Sequence, residues 1–364
     1  MFHRRTLSLA PFFLAGLAAF GASALLATAP AEAQEPAACL SPNPSDWPAP
    51  AKPYFLVALD TSGSMIFPVS STNSCGYQNG AWGTGTSTRM GHAKCAVRNS
   101  VLAFGGQVNF GLMQFASTMT NCGASCYGSD SNPSGQCTFG CLPGDYYSGG
   151  AGCSGCGPMD NINDPATRRG GRMRVGIQSD LLGQTSNAAE LLSWVDNNCT
   201  SNLEVTNVPV DGPAYGLTPL NGMLRDARRY LQSGWTDPLT SQNFPTPLSA
   251  ADRSCRSVNV ILLTDGDETC DTTAAAVSAA SALFNQGVTF GANNFRVRTY
   301  VINFAGGNQA NTDAIAAAGG TTASLFATNE VELSQAIATI VANSVQPETC
   351  DNADNNCNGC TDEG

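Results

Sequence analysis

Six consecutive apolar residues, Tyr54 to Leu59, stop abruptly at Asp60. A run with no polar alternation suits a strand buried on both faces, as in parallel sheets covered by helices on either side. Directly after it the chain reads Asp60-Thr-Ser62-Gly63-Ser64, a carboxylate and two hydroxyls at alternate positions. Small oxygen donors in a turn just past a strand suit a hard divalent cation.

The rest of the chain agrees with that layout. Further strands are predicted at 109–115, 174–178, 258–263, 297–303 and 324–327. Amphipathic segments lie between them. Ala93, Val97, Val101 and Phe104 share one face at helical spacing, as do Leu220, Leu224, Ala227 and Leu231. Residues 272–286 form an Ala-rich helical stretch, and 330–344 carries Leu333, Ile337, Ile340 and Val341 along one side. Strands alternating with helices predict an α/β domain over 53–344: a doubly wound, mostly parallel sheet with helices on both faces. Ligands bind such sheets at the carboxyl ends of their strands. Two insertions interrupt it. Residues 118–171 are rich in Gly, Ser, Asn and Cys and are expected to form a disulfide-stapled loop. Residues 232–257 read as a Pro- and Ser-rich surface loop.

Residues 1–33 have the plan of a signal peptide: Arg4 and Arg5, an apolar stretch, then Ala31-Glu32-Ala33 before Gln34. The Arg pair resembles a twin-arginine signal, although Ser8 stands where a second apolar residue would help. The expectation is an exported protein with a Pro-rich linker over 34–52 and no later membrane span. The formal charge is −11, and −12 without the signal segment, which holds Arg4, Arg5 and Glu32. Such an acidic surface disfavours nucleic acid and anionic lipid and favours cations and basic partners.

All 15 cysteines lie after residue 33. Their density fits an oxidising compartment and a disulfide framework. Spacings such as Cys122-x3-Cys126 and Cys153-x2-Cys156 superficially suit zinc. The only histidines are His3 and His92, so any zinc site would be all-thiolate. Six cysteines in the first insertion permit three local bridges. Cys255 and Cys270 flank a strand whose residues 258–264 span about 23 Å at roughly 3.3 Å each, so they should not pair. Cys75 and Cys270 both fall near the loop-bearing face and are paired on that basis.

Three segments bring oxygen donors to that face: Asp60, Ser62 and Ser64 after the first strand, Thr218 before the helix at 220–231, and Asp265 after the strand at 258–263. Singly, each has a plain explanation. Asp60 and the serines could set a turn. Thr218-Pro219 could be a helix cap with Pro in the first turn. Asp265-Gly266 is a common turn pair. Their coincidence at one end of a parallel sheet is harder to explain that way.

Together these residues resemble the metal-ion-dependent adhesion site of von Willebrand factor type A domains. The resemblance covers roughly residues 53–344, broken by the two insertions. It implies that Ser62 and Ser64 coordinate Mg²⁺ (or Mn²⁺) through their hydroxyls and that Thr218 does so directly or through water. It implies that Asp60 and Asp265 act largely through bound waters and hydrogen bonds. It further implies that one coordination position is left for a carboxylate from a protein or other partner. Mg²⁺ takes six near-octahedral oxygens and keeps several waters. Neutral hydroxyls bound directly to it leave it electrophilic toward an external acid.

The tail, 345–364, is a second concentration of donors. Asp354, Asn356, Asn358 and Gly359 match the first half of a calcium loop, and Asp362 falls at the ninth position. The twelfth, normally a bidentate Glu, is missing. The stretch is also similar to a short Cys/Asp/Asn motif of exported bacterial proteins to which metal binding has been assigned. The reading is a Ca²⁺-binding tail with Cys360 as the odd thiol; the plain alternative is a solvated acidic tail tied by Cys350–Cys357. No G-x-S-x-G elbow, P-loop or acid–base–nucleophile set is present, and Ser62 stands where a haloacid-dehalogenase-like site needs Asp. His92 opens a helix and is read as a surface or capping residue. The sequence thus points to a non-enzymatic, exported, cation-dependent adhesion or binding module. The alternative is a structural calcium-binding protein of envelope or matrix.

Overall fold

The computed structural model describes residues 36–77, 87–115, 170–179, 187–196, 218–236, 242–345 and 347–362. The expected signal peptide and nearly all of the Cys-rich insertion, with its six cysteines, lie outside them.

In chain order the elements are β1 (Tyr54–Leu59), α1 (Arg89–Phe104), β2 (Asn109–Phe115), β3 (Gly171–Val175), α2 (Ala188–Trp194), α3 (Leu220–Ser233), β4 (Trp235–Thr236), β5 (Asn243–Phe244), β6 (Val258–Thr264), α4 (Thr273–Ser281), β7 (Val288–Phe290), β8 (Asn293–Phe295), β9 (Val297–Phe304), α5 (Gln309–Ala318), β10 (Leu325–Ala327) and α6 (Glu330–Ser344). Six strands form one sheet in the order β10-β9-β6-β1-β2-β3. All its pairings are parallel except β2 with the edge strand β3. The chain winds from β1 outward through β2 to β3, then returns to the other side of β1 for β6, β9 and β10. The direction reverses between β1 and β6. In open α/β sheets the crevice at such a reversal is where ligands sit.

The central strand explains the two-sided cover. Every β1 residue is buried, and successive side chains point to opposite faces. Tyr54, Leu56 and Ala58 join one core with Leu220, Leu224, Ala227 and Leu231 of α3 and Ala276 and Ala280 of α4. Phe55, Val57 and Leu59 join the other with Ala93, Val97 and Val101 of α1 and Leu333, Ile337 and Ile340 of α6. Full burial of each large apolar side chain stabilises the fold by about 1.5–3 kcal/mol. The predicted α/β architecture is therefore the observed one.

Several details differ from the sequence-based expectations. The strand expected at 174–178 is Gly171–Val175, and it runs antiparallel. The stretch 272–286 ends its α-helix at Ser281 and continues as a π-helical turn, Ala282–Gln286. The second insertion is not merely a surface loop. Trp235 and Phe244 form a two-stranded ladder and are buried with Leu248 in the main core.

The disulfides also depart from the predicted pairs. Cys75 bonds Cys95, not Cys270. Cys357 bonds Cys255, not Cys350, and Cys360 bonds Cys39 rather than standing as the odd thiol. Cys350 is an exposed free thiol. The physical reason is reach across the fold. Ser257 O accepts from Tyr54 N at 2.9 Å, so Cys255 sits at the amino ends of β1 and β6. The tail packs there too, with Ala51 N donating to Asn356 O at 3.1 Å and Asn358 Nδ2 to Pro48 O at 2.9 Å. Segments 36–53 and 347–362 thus form one bonded layer at the amino-end pole. Among the described residues, no helix is long and apolar enough to cross a membrane.

Candidate metal centre

The opposite pole carries the predicted donors. β1 and β6 are in register to Leu59–Leu263, and Asp60 N donates to Leu263 O at 2.9 Å. The first residue past β1 and the first past β6, Asp60 and Asp265, are thereby fixed as neighbours. After Asp60 the chain turns sharply, with Ser62 N donating to Asp60 Oδ1 at 2.7 Å. A short 3₁₀ turn, Gly63–Ile66, then brings Ser64 back toward Ser62. Their hydroxyl oxygens are 3.1 Å apart, and Ser64 Oγ donates to Asp265 Oδ1 at 2.6 Å. Asp60 Oδ2 accepts from Thr264 Oγ1 at 2.7 Å and from Asp265 N at 3.3 Å.

Thr218 joins from the third segment. It does not cap α3: the capping position is Pro219, with no side-chain cap bond. Its backbone is instead clamped to the loop after β6, its N donating to Thr269 Oγ1 at 2.7 Å and its O accepting from Thr269 N at 3.1 Å. A Cβ placed on Gly266 would lie 3.2 Å from Thr218 Oγ1 and 4.0 Å from Ser64 Oγ. The two hydroxyls thus flank a space kept open by a glycine. All five residues predicted from sequence meet at this pole.

Burial and mutual repulsion set the electrostatics of these carboxyls. Asp60 is fully buried, and burial together with the charge of Asp265 pushes its carboxyl up to about 7. Burial likewise raises Asp265, against the pull of Ser64 and Arg89. Two buried carboxylates side by side cannot both ionise cheaply, and they titrate as a pair. A divalent cation would relieve both. Two carboxylates, three hydroxyls and a glycine-kept cradle fit Mg²⁺ or Mn²⁺, whose remaining positions are water. Among the described residues no three His, Cys, Asp or Glu side chains gather around one point. Any cation here must therefore lean on hydroxyls. The cradle gives a direct check. Gly266 is not in the left-handed region, so Gly266→Ala should fold normally yet weaken Mn²⁺ binding by about tenfold, roughly 1.4 kcal/mol. Calorimetric titration measures it.

Sequence reasoning missed Arg89. It donates through Nη1 to Asp265 Oδ2 at 2.7 Å and through Nη2 to Ala305 O at 2.9 Å. A signal was present: Arg89 opens α1, whose first turn has no acidic residue, and a cation there opposes the helix dipole. An anion nearby would offset that penalty, but the local sequence does not say which one. His92 is fully buried rather than a surface or capping residue. Its Nε2 lies 3.0 Å from Ser71 O and its Nδ1 accepts from Glu330 N at 2.9 Å, so it holds α1 against α6.

The tail donors face elsewhere. Asp354 accepts from Arg253, Asn358 N and Gly359 N. Asn356 Oδ1 also accepts from Asn358 N, and Asn358 Oδ1 from Cys360 N. Asp362 accepts from the Asp351 and Asn352 amides. Asp354 and Asn356 converge on one amide, while Asp362 is turned to another part of the tail.

No family model and no curated protein matches this chain. Similar solved structures include proximal thread matrix protein 1 of the mussel byssus, at 14% identity and TM-score 0.40, over 84% of this chain and 51% of that one. A von Willebrand factor type A protein from Catenulispora acidiphila matches at 12% and 0.39, over 82% and 44%. The manganese-loaded TRAP protein of Plasmodium vivax matches at 15% and 0.39, over 80% and 74%. The chain thus spans about half the length of the first two. Similarity at this level says nothing of ligand or partner.

Proposed function

We propose that this protein is a cation-dependent binding module, in which one Mg²⁺ or Mn²⁺ at the carboxyl-end pole captures an acidic group of a protein or other partner. The observation that carries this reading is the meeting of Ser62 Oγ, Ser64 Oγ and Asp265 Oδ1 beside the Thr218 hydroxyl, backed by the buried Asp60. Ser62, Ser64 and Thr218 would offer neutral oxygens. Asp60 and Asp265 would orient those hydroxyls and balance charge. When bound, the cation supplies an electrophilic position for an outside carboxylate.

His92 is locked between Ser71 and Glu330 and is no base for these serines, which supports binding over catalysis. Three disulfides in the described residues support life in an oxidising compartment, and export through residues 1–33 belongs to the same reading.

The test uses carboxymethyl-dextran as the acidic probe. Retention of the full chain should require Mg²⁺ or Mn²⁺, vanish in EDTA and vanish in Ser64→Ala. Retention that ignores both EDTA and the substitution would overturn the reading.

A further inference from the structure

Arg89 is placed with more care than a surface arginine needs. Its backbone N donates to Phe67 O at 3.0 Å, and its guanidinium lies 5.3 Å from the centre of the Phe67 ring. One arm of the fork reaches Asp265 and the other reaches Ala305 O. Ala305 has φ of +58°, a conformation that non-glycine residues rarely adopt. Its carbonyl is thereby presented to the guanidinium just past β9. The next residue, Gly306, makes the room: a Cβ there would lie 2.8 Å from Arg89 Nη1 and 2.5 Å from Asp265 O. One side chain therefore ties together the loops after β1, β6 and β9.

The two oxygens of Asp265 are divided by this arrangement. Oδ1 takes the Ser64 hydroxyl, on the side of the cradle, and Oδ2 takes the guanidinium. The atoms nearest a Cβ on Gly266 belong to Thr218 and Ser64, not to Arg89, which bonds the other oxygen of the carboxylate.

We propose that Arg89 is a positioning and specificity-determining residue, a fixed counter-charge that reserves Asp265 Oδ2 for itself and so leaves a bound divalent cation with a surplus positive charge for an anionic partner. The inference rests on the proposed metal site. Two carboxylates against one divalent cation balance to zero. The arginine, which stays charged at every relevant pH, makes the total positive. Without it the cage would grip the cation harder and the loaded site would lose its pull on an outside carboxylate. Cation affinity and anion affinity should move in opposite directions, which a merely structural residue would not cause.

The experiment compares wild type, Arg89→Gln and Arg89→Lys in the full chain at pH 8. Mn²⁺ affinity is measured by calorimetry, and acetate binding to the loaded protein by the paramagnetic relaxation of acetate methyl protons. Arg89→Gln is expected to bind Mn²⁺ about tenfold tighter while binding acetate about tenfold more weakly, the direction that removing a nearby like charge from a cation site dictates. Arg89→Lys keeps the charge but loses the fork; because the pull on an outside anion depends on charge, acetate binding should stay within about threefold of wild type. A parallel fall of both affinities in Arg89→Gln, no change in either, or an Arg89→Lys loss beyond tenfold would each overturn the proposal. A wild type that binds no Mn²⁺ overturns the metal reading and this inference with it. A wild type that binds Mn²⁺ normally while the variants behave otherwise than expected sinks the Arg89 role alone.

Discussion

Asp60→Asn should weaken Mg²⁺ and Mn²⁺ binding at least about 100-fold, roughly 2.7 kcal/mol, and should also change how the metal-free protein responds to pH. Asp60 Oδ1 and Oδ2 accept from Ser62 N, Thr264 Oγ1 and Asp265 N. An amide can serve only some of these donors, and it removes the charge that a cation needs. The pH effect arises because the carboxyl is pushed up to about 7 from an ordinary value of 3.8. Between those values the folded chain keeps a proton that the unfolded chain has lost. Stability from this group is therefore fully present below about pH 4 and declines as pH rises toward 7, by on the order of a few kcal/mol. The asparagine variant lacks that decline. Saturating Mg²⁺ should reverse it in the wild type, because the cation competes with the proton. Thermal melts from pH 4 to 8, with and without Mg²⁺, measure all three slopes. A wild-type slope equal to that of Asp60→Asn would contradict the account of the buried pair.

Cys255→Ser is expected to lower stability by about 3 kcal/mol without changing Mn²⁺ affinity by more than about twofold. The bond Cys255–Cys357 closes a loop of sequence separation 102. Closing a loop of about 100 residues removes unfolded-state freedom worth up to about 4.7 kcal/mol, and measured values are usually 2–4. Cys357→Ser should cost the same, and the double variant no more than either single one. The two poles are the reason for the split. The tail and residues 36–53 are fastened at the amino ends of β1 and β6, a full strand length from Asp60 and Asp265. Denaturant melts read the stability and calorimetry reads the cation. If either serine variant loses the cation, the poles are coupled and the tail belongs to the site.

The legible parts of this molecule were those written in contiguous residues. The β1 run and the Asp60-x-Ser62-x-Ser64 turn announce both a central strand and its ligand-bearing end. The helical spacing of Leu220, Leu224, Ala227 and Leu231 predicted a buried stripe, and all four are buried. Asp265 could be assigned to the site because parallel neighbouring strands send the loops after them to one pole; Thr218 comes after the antiparallel β3, so that rule does not place it, and only the resemblance adds it to the set. Arg89 could not be assigned, because nothing local marks its target. Its partners, Asp265 and Ala305, lie 176 and 216 positions away. The disulfides failed for a related reason. For Cys255, Cys357 and Cys360, pairing by pole requires knowing where the tail docks, and its contacts, Ala51 N to Asn356 O, Asn358 Nδ2 to Pro48 O and Arg253 to Asp354, join residues far apart in the sequence. The β7–β8 hairpin escaped notice because Val288–Phe290 and Asn293–Phe295 are three residues each, too short for alternation to show. The antiparallel sense of β3 is likewise invisible in its apolar content.

The most direct test of the central claim is anomalous scattering from crystals grown with Mn²⁺. The account predicts a single strong peak at the carboxyl-end pole, about 2.1 Å from the hydroxyl oxygens of Ser62 and Ser64, as six-coordinate small cations require. It also predicts that the peak is absent from crystals of Asp60→Asn. No peak at that pole in the wild type, or one found only among Asp354, Asn356, Asn358 and Asp362, would contradict it.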